Sequence, residues 1–270
     1  MLIHSHFVAL HHPEKPIALR KIYLPLSIIC LVATFLMLPV VKAGNNKAFS
    51  ASKPEKEILV KEINEEEDKL SAEARAASLY ENMELEKIGL TKDALVYAMK
   101  GYEKLLEAGK IKKSSVLTVI DFSQRSDKKR MYIIDVEKEE VLINTYVSHG
   151  KNTGLKYAEK FSNIHESLQS SLGFYVTKGT YHGKHGLSLR LGGMEEKFND
   201  NAESRAIVVH GATYIGAHRL KAAYMGRSFG CPAVPKEISA KVINLIKDGT
   251  CMFIYHPSNN YLKGSKLLNG

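Results

Sequence analysis

The stretch SSVLTVIDFSQRSDKKRMYIIDVEKEEVLINTYVSHG, residues 114–150, decides the fold class. It holds three short runs rich in β-branched residues, SSVLTVIDFS, RMYIIDVEK and EVLINTYVSHG, separated by the charged link QRSDKKR and an EKEE turn. Branched side chains pack well on a pleated surface and polar links suit turns, so the three runs read as a β meander. Upstream the period changes. TKDALVYAMKGYEKLLEAGKI, residues 91–111, carries apolar side chains at 95, 98, 99, 102, 105 and 106, the stripe of a helix docked on a core, with Thr91 as N-cap and Asp93 in the first turn. A helix over 74–87 closed by Gly89, and a helical, acid-rich stretch over 55–70 with a solvated face, precede it.

Downstream, further strands are expected near 173–177, 206–210 and 251–256, with a helix over 236–247 after Pro235 and ending at Gly249. The segment TYHGKHGLSLRLGG, residues 180–193, reads as a glycine-spaced loop able to cap a cleft. A helical arm followed by a mainly antiparallel β domain, an α+β chain, accounts for the pattern. No internal repeat, P-loop or dinucleotide fingerprint is present.

The net charge of +9 comes from basic residues spread along the chain. They are not interleaved with stacking aromatics, so a nucleic-acid groove is not expected. An anionic neighbour such as an envelope polymer or lipid headgroup is favoured. Arg20 and Lys21 precede an apolar run from Ile22 to Val41 and then VKAG, the pattern of a secretory signal cleaved after Ala43. An uncleaved membrane anchor is the alternative, since roughly 20 apolar residues can span a bilayer. The expected organisation is a signal over 1–43, a linker and helical arm over 44–77, the main domain over 78–258 and a tail over 259–270. The exported chain keeps Cys231 and Cys251. A disulfide between them is one reading. The other takes Cys251, within GTCMFIYHP, as a small core hydrophobe and leaves Cys231 free.

Cys231 is the residue with chemical promise. A thiol becomes a useful nucleophile beside an imidazole, and His210 ends the apolar run AIVVH, where a strand delivers it to the rim of a sheet. Gly211 lets another chain or a substrate approach closely. The turn through Ser228, Phe229, Gly230 and Cys231 presents amide N–H groups able to hold an oxyanion. Against this stands a plain reading, with His210 a hydrogen-bonded strand-end histidine and Cys231 inert. A zinc site built from His182, His185 and one of His210, His218 or Cys231 is a third reading, although a helical His-Glu-x-x-His motif is missing. His149, in SHGKNTG, reads as a structural turn residue.

HGATYIGAHRLKAAYMGRSFGC, residues 210–231, resembles the active-site signature of YkuD-type L,D-transpeptidases, a histidine followed after a spacer by Ser/Thr-His-Gly-Cys. Here 17 residues separate His210 from Ser228. Phe229 stands where the signature has its second histidine, and Ala233 where an asparagine or arginine is usual. The GCPAVP form, with GLTKDALVYAMKGYEKL, LTVIDFSQRS, SSLGFYVTKGTYHGKHGLSLRLGG and FNDNAESRAIVVHGATY, is similar to a variant branch of murein L,D-transpeptidase catalytic domains over about residues 78–256.

The resemblance implies an antiparallel β sandwich or barrel and a periplasmic enzyme acting on peptidoglycan stem peptides. Cys231 would be the nucleophile and His210 the base. Acyl exchange of this kind needs no cofactor or metal. Arg227, Arg190, His185, Tyr181 and Tyr214 are candidate substrate contacts, the arginines for stem-peptide carboxylates. Carbapenems are implied as covalent inhibitors, and a membrane partner only if the N-terminal segment is uncleaved. Cross-linking, trimming by water in place of an acceptor amine, and a silent envelope-binding module remain open.

Overall fold

The computed structural model describes residues 72–270. The expected signal or anchor, the linker and the helix over 55–70 lie outside the described residues. A first helix, α1, covers 72–82 and buries Ala72, Ala76 and Leu79 at helical spacing. It ends at 82, before the expected 87. A one-turn 3-10 helix, Leu85–Ile88, follows and ends at Gly89, whose φ of 87° lies in the left-handed region that glycine adopts at little cost.

Helix α2, Lys92–Glu107, buries Leu95, Ala98, Met99, Tyr102 and Leu105, the stripe read from the sequence. Each large side chain taken out of water there contributes about 1.5–3 kcal/mol. Leu106 flanks that face and remains partly exposed. Gly101 sets how close the helix comes: a Cβ there would sit 2.1 Å from the ring of Phe174. Thr91 precedes the helix, but its hydroxyl donates to Asp121 Oδ2 at 2.8 Å and makes no cap bond. The helix start is thereby tied to the end of the first strand.

Eight strands follow: β1 Val116–Asp121, β2 Met131–Asp135, β3 Glu140–Thr145, β4 Gly173–Gly183, β5 Gly186–Gly193, β6 Val208–Ala212, β7 Ala233–Pro235 and β8 Cys251–Tyr255. They form one sheet in the order β3-β2-β1-β8-β4-β5-β6-β7. The meander β1-β2-β3 is antiparallel, as are β8-β4, β4-β5 and β5-β6, whereas β1-β8 and β6-β7 run parallel. The chain leaving β3 then curls round to the far edge. Ser148 N donates to Ala233 O at 2.9 Å, Ser228 N to His149 O at 3.0 Å and Lys151 N to Ser228 O at 2.7 Å. These bonds nearly close the sheet into a barrel, which leaves few unpaired backbone groups at its edges.

Two expectations are corrected. Residues 180–193 are not a capping loop: they are the outer half of β4 and all of β5, a hairpin in which Leu187, Leu189 and Leu191 alternate towards the core. The glycines that flank the leucines on both sides, with Lys184 and His185 at the turn, mask that period of two. Residues 259–270 do not trail off as a tail. They form α4, Asn259–Gly264, and α5, Lys266–Asn269, with Tyr261 and Leu268 buried. Both helices are held by Glu195, whose buried carboxyl accepts from Tyr261 Oη at 2.8 Å, from Phe174 N at 2.7 Å and from Ser265 Oγ. Helix α3, Ser239–Ile246, begins after a 3-10 turn at Lys236–Ile238 and packs on β5 and β6.

Candidate active site

β6 and the turn before β7 build the site. All five residues of β6 are buried, so the strand carries His210 into the rim with 3% of its surface exposed. In the parallel β6-β7 pair His210 is level with Ala233. Cys231, two residues before Ala233, stands level with Val208, displaced from His210 by about 6.6 Å along the strand. Val208 N lies 3.5 Å from Cys231 Sγ and Ala206 O lies 3.7 Å from it. These are the sulfur's hydrogen-bond partners, and its lone pairs are not engaged by the imidazole at rest. Catalytic hydrogen bonds of this kind commonly tighten only when substrate is bound.

His210 has a defined tautomer. Nδ1 lies 3.1 Å from the Gly211 carbonyl, which can only accept, so Nδ1 carries the proton and Nε2 keeps its lone pair. The ring of His185 stacks on that of His210 with centroids 4.2 Å apart. Burial pushes the His210 pKa down, and the nearby His185 and Lys236 act in the same direction. Burial pushes the Cys231 thiol up, opposed by the Val208 N–H, by the Arg205 charge and by its own backbone N–H. At rest both groups are therefore neutral, a thiol and an imidazole.

The turn is fastened on every side. Ser228 Oγ donates to Cys231 O at 2.6 Å and accepts from Gly230 N at 3.1 Å. Ser170 Oγ donates to Gly230 O at 3.3 Å, and Ser148 Oγ accepts from Ala233 N at 3.1 Å. Gly230 has φ of 124°, and a Cβ there would meet Gln169 O at 2.8 Å, so only glycine fits. The Gly230 N–H is occupied by Ser228, which leaves the Cys231 N–H, beside its own sulfur, as a candidate oxyanion donor. Phe229 projects outward with 71% of its surface exposed. Gly211 serves packing instead of substrate approach. A Cβ there would meet Ser239 Oγ at 2.4 Å, so its lack of a side chain lets the start of α3 come close.

The remaining candidates spread around the rim. The Arg190 guanidinium lies 4.4 Å above the Tyr181 ring on the β4-β5 hairpin. Arg227 Nη1 donates to Lys151 O at 2.7 Å and Gly154 O at 3.3 Å, and its guanidinium covers the Tyr224 ring at 4.6 Å. Tyr214 packs with Ala212, Ile215, Met225 and Ala233, and its phenol pKa is pushed up to about 12 by burial and then by Cys231. His218 Nε2 is turned to Thr213 O at 2.9 Å. Among the described residues no three His, Cys, Asp or Glu side chains gather as a metal site. Cys231 and Cys251 are free thiols, and Cys251 is wholly buried in β8.

Two supporting residues carry no sequence signal. Arg205 donates to Ser162 O and Ser171 Oγ at 2.8 and 2.6 Å, and to Gln169 O and Ser167 Oγ at 2.8 and 3.1 Å. It anchors the loop under Gly230 and places a cation near the sulfur. Arg130 is fully buried and donates from Nη2 to His149 Nδ1 at 2.9 Å, with further bonds to Gln124 O and Val147 O. His149 Nε2–H in turn donates to Gly154 O at 3.2 Å, while the His149 carbonyl receives Ser228 N. The turn that carries Cys231 thus rests on a buried Arg-His pair.

A family model described as "L,D-transpeptidase catalytic domain" matches residues 86–255. A search of curated proteins found no match. Among solved structures, an L,D-transpeptidase from Mycobacterium smegmatis aligns at 13% identity with a TM-score of 0.33, over 53% of this chain and 59% of that one. An L,D-transpeptidase in complex with imipenem aligns at 12% identity and a TM-score of 0.33, over 52% of this chain. The match again spans 59% of the length of that structure. Residues 123–326 of the L,D-transpeptidase from Xylanimonas cellulosilytica align at 19% identity and a TM-score of 0.31, over 57% of this chain and 68% of that one.

Proposed function

The chain belongs to the L,D-transpeptidase catalytic domain family, and we propose that it is an exported cysteine acyltransferase acting on peptidoglycan stem peptides. The observation that supports this most is the β6-β7 register, which sets the turn carrying Cys231 against β6, the strand that carries the Nδ1-protonated His210. Cys231 Sγ attacks the carbonyl that joins the L-centre of diaminopimelate to the terminal D-alanine. His210 Nε2 takes the thiol proton as the C–S bond forms. The Cys231 N–H stabilises the oxyanion, and removing such a donor typically costs about 2.7–4 kcal/mol of barrier.

Collapse of the tetrahedral intermediate breaks the C–N bond, and His210 returns the proton to the departing D-alanine amine. The thioester is then attacked by an acceptor amine, which gives its proton to His210 and restores the thiol. One amide replaces another, so positioning supplies the driving geometry and no cofactor takes part. Water in place of the amine yields a tripeptide. β-Lactams of the carbapenem class present a strained amide to the same sulfur and are expected to acylate it. The N-terminal apolar run supports a periplasmic location for this reaction.

Incubating the protein with purified tetrapeptide muropeptides and analysing products by mass spectrometry tests the proposal. Dimers lacking one D-alanine, absent with Cys231→Ala, are expected. Tripeptides alone would mark a carboxypeptidase, and no product from folded protein with a titratable thiol would overturn the reading.

A further inference from the structure

Beside the nucleophile turn lies a cavity of about 370 Å³, formed by the loop 151–160 and Arg227. Its charge is one-sided. Lys151, Lys156, Lys160 and Arg227 line it with Glu159 as the one carboxylate, and among the described residues no acid lies within ion-pair distance of the four cations. The neighbouring Asp127, which Lys156 also influences, is already held by Arg125 at 2.6 Å.

The loop is built rather than loose. Thr153 is fully buried and its Oγ1 accepts from Ser170 N at 2.8 Å, while its carbonyl accepts from the backbone N–H groups of Glu159 and Lys160 at 2.9 and 3.0 Å. Gly154 O is shared by His149 and Arg227. The cavity is joined to the site through the Gly150-Ser228 bridge and the bond from Lys151 N to Ser228 O. Ser228 is in turn bonded to Cys231 O. A fixed cavity with surplus positive charge, tied by backbone bonds to the nucleophile turn, is suited to an anion carried by the molecule that reaches Cys231.

We propose that this cavity is a carboxylate-binding subsite for the stem peptide, engaging a free carboxylate of D-glutamate or diaminopimelate while the scissile carbonyl lies at Cys231. The inference rests on the acyl-transfer reading of Cys231. It adds a determinant of substrate choice: peptides whose carboxylates are amidated bind less well.

Binding of the tetrapeptide L-Ala-γ-D-Glu-diaminopimelate-D-Ala, and of its amidated form, is measured by calorimetry on Cys231→Ala protein, which prevents turnover. The same titrations are repeated with Lys151→Gln and Lys160→Gln added together. Both lysines are exposed and lack ion-pair partners among the described residues, so the fold is retained, whereas Arg227→Gln would also free two loop carbonyls. About tenfold tighter binding of the free-acid peptide, lost in the lysine variant, is expected. Equal affinity for the two peptides, an unchanged preference in the lysine variant, or no binding of either peptide would overturn the subsite. Carboxylate-selective binding without muropeptide products would instead uphold the subsite and refute the acyl-transfer reading, and products without selectivity would do the reverse.

Discussion

Replacing His149 by glutamine isolates a pH dependence that the buried pair beneath the Cys231 turn should impose on the whole fold. Burial, and then the charge of Arg130, lower the His149 pKa from 6.5 to about 3. Below pH 6.5 the unfolded chain binds a proton at this imidazole and the folded chain does not. Stability therefore falls as pH drops, by about 1.36 kcal/mol per pH unit, until the folded imidazole itself protonates near pH 3. Between pH 8 and pH 5 the contribution of His149 amounts to about 2 kcal/mol.

Glutamine can keep both contacts, its carbonyl accepting from Arg130 and its amide donating to Gly154 O, without titrating. His210 and His256 are depressed by burial as well and add slopes of the same sign, while the raised Glu195 opposes them at lower pH. The informative quantity is thus the difference between the two proteins. Urea unfolding at pH 8, 7, 6 and 5 should show the wild type losing about 2 kcal/mol more than His149→Gln over this range. Parallel curves for the two proteins would refute the assignment of a buried, neutral His149.

Ser228→Ala removes the bond to Cys231 O and leaves the buried Gly230 N–H without its acceptor; urea unfolding should show a loss of about 1–3 kcal/mol, and acylation should slow at unchanged thiol content. Gly230→Ala forces a Cβ to within 2.8 Å of Gln169 O at positive φ, which should cost at least about 1–3 kcal/mol in the same assay. Arg205→Gln withdraws a cation that favours the Cys231 thiolate, so the midpoint of the iodoacetamide alkylation rate against pH should move upward; a downward shift would contradict the placement of Arg205.

Much of this architecture is readable from residue pattern. The meander over 114–150, the stripe of α2 and a strand carrying His210 follow from periodicity and β-branched content, because burial selects apolar side chains at fixed intervals, although that strand runs on through Gly211 and Ala212 instead of ending at His210. The hairpin at 180–193 escapes that logic: its turn region, His182 to Gly186, is histidine, lysine and glycine, which imitates a loop and hides the short alternation of Leu187, Leu189 and Leu191. Closure of the barrel by 148–151 depends on serine hydroxyls and backbone amides, which leave no periodic mark. Arg130 ends a KKR cluster that reads as solvated, yet it is fully buried because three acceptors meet it there. His149 is similar: its turn position is evident in sequence, its partnership with an arginine is not. Within the site, the residue types of Cys231 and His210 are legible, but the tautomer and the fastening by Ser228 belong to tertiary structure. The helices over 259–270 are likewise held by a distant group, Glu195, that local sequence does not reveal.

The claim that Cys231 is an acyl nucleophile activated by His210 is tested most directly by trapping the covalent intermediate. The protein is mixed with tetrapeptide donor in the absence of acceptor, quenched in acid, and examined by intact-mass spectrometry with peptide mapping. A thioester adduct on Cys231 with release of D-alanine, missing in Cys231→Ala and strongly slowed in His210→Ala, is predicted. An adduct on another residue, or undiminished acylation in His210→Ala, would contradict the account.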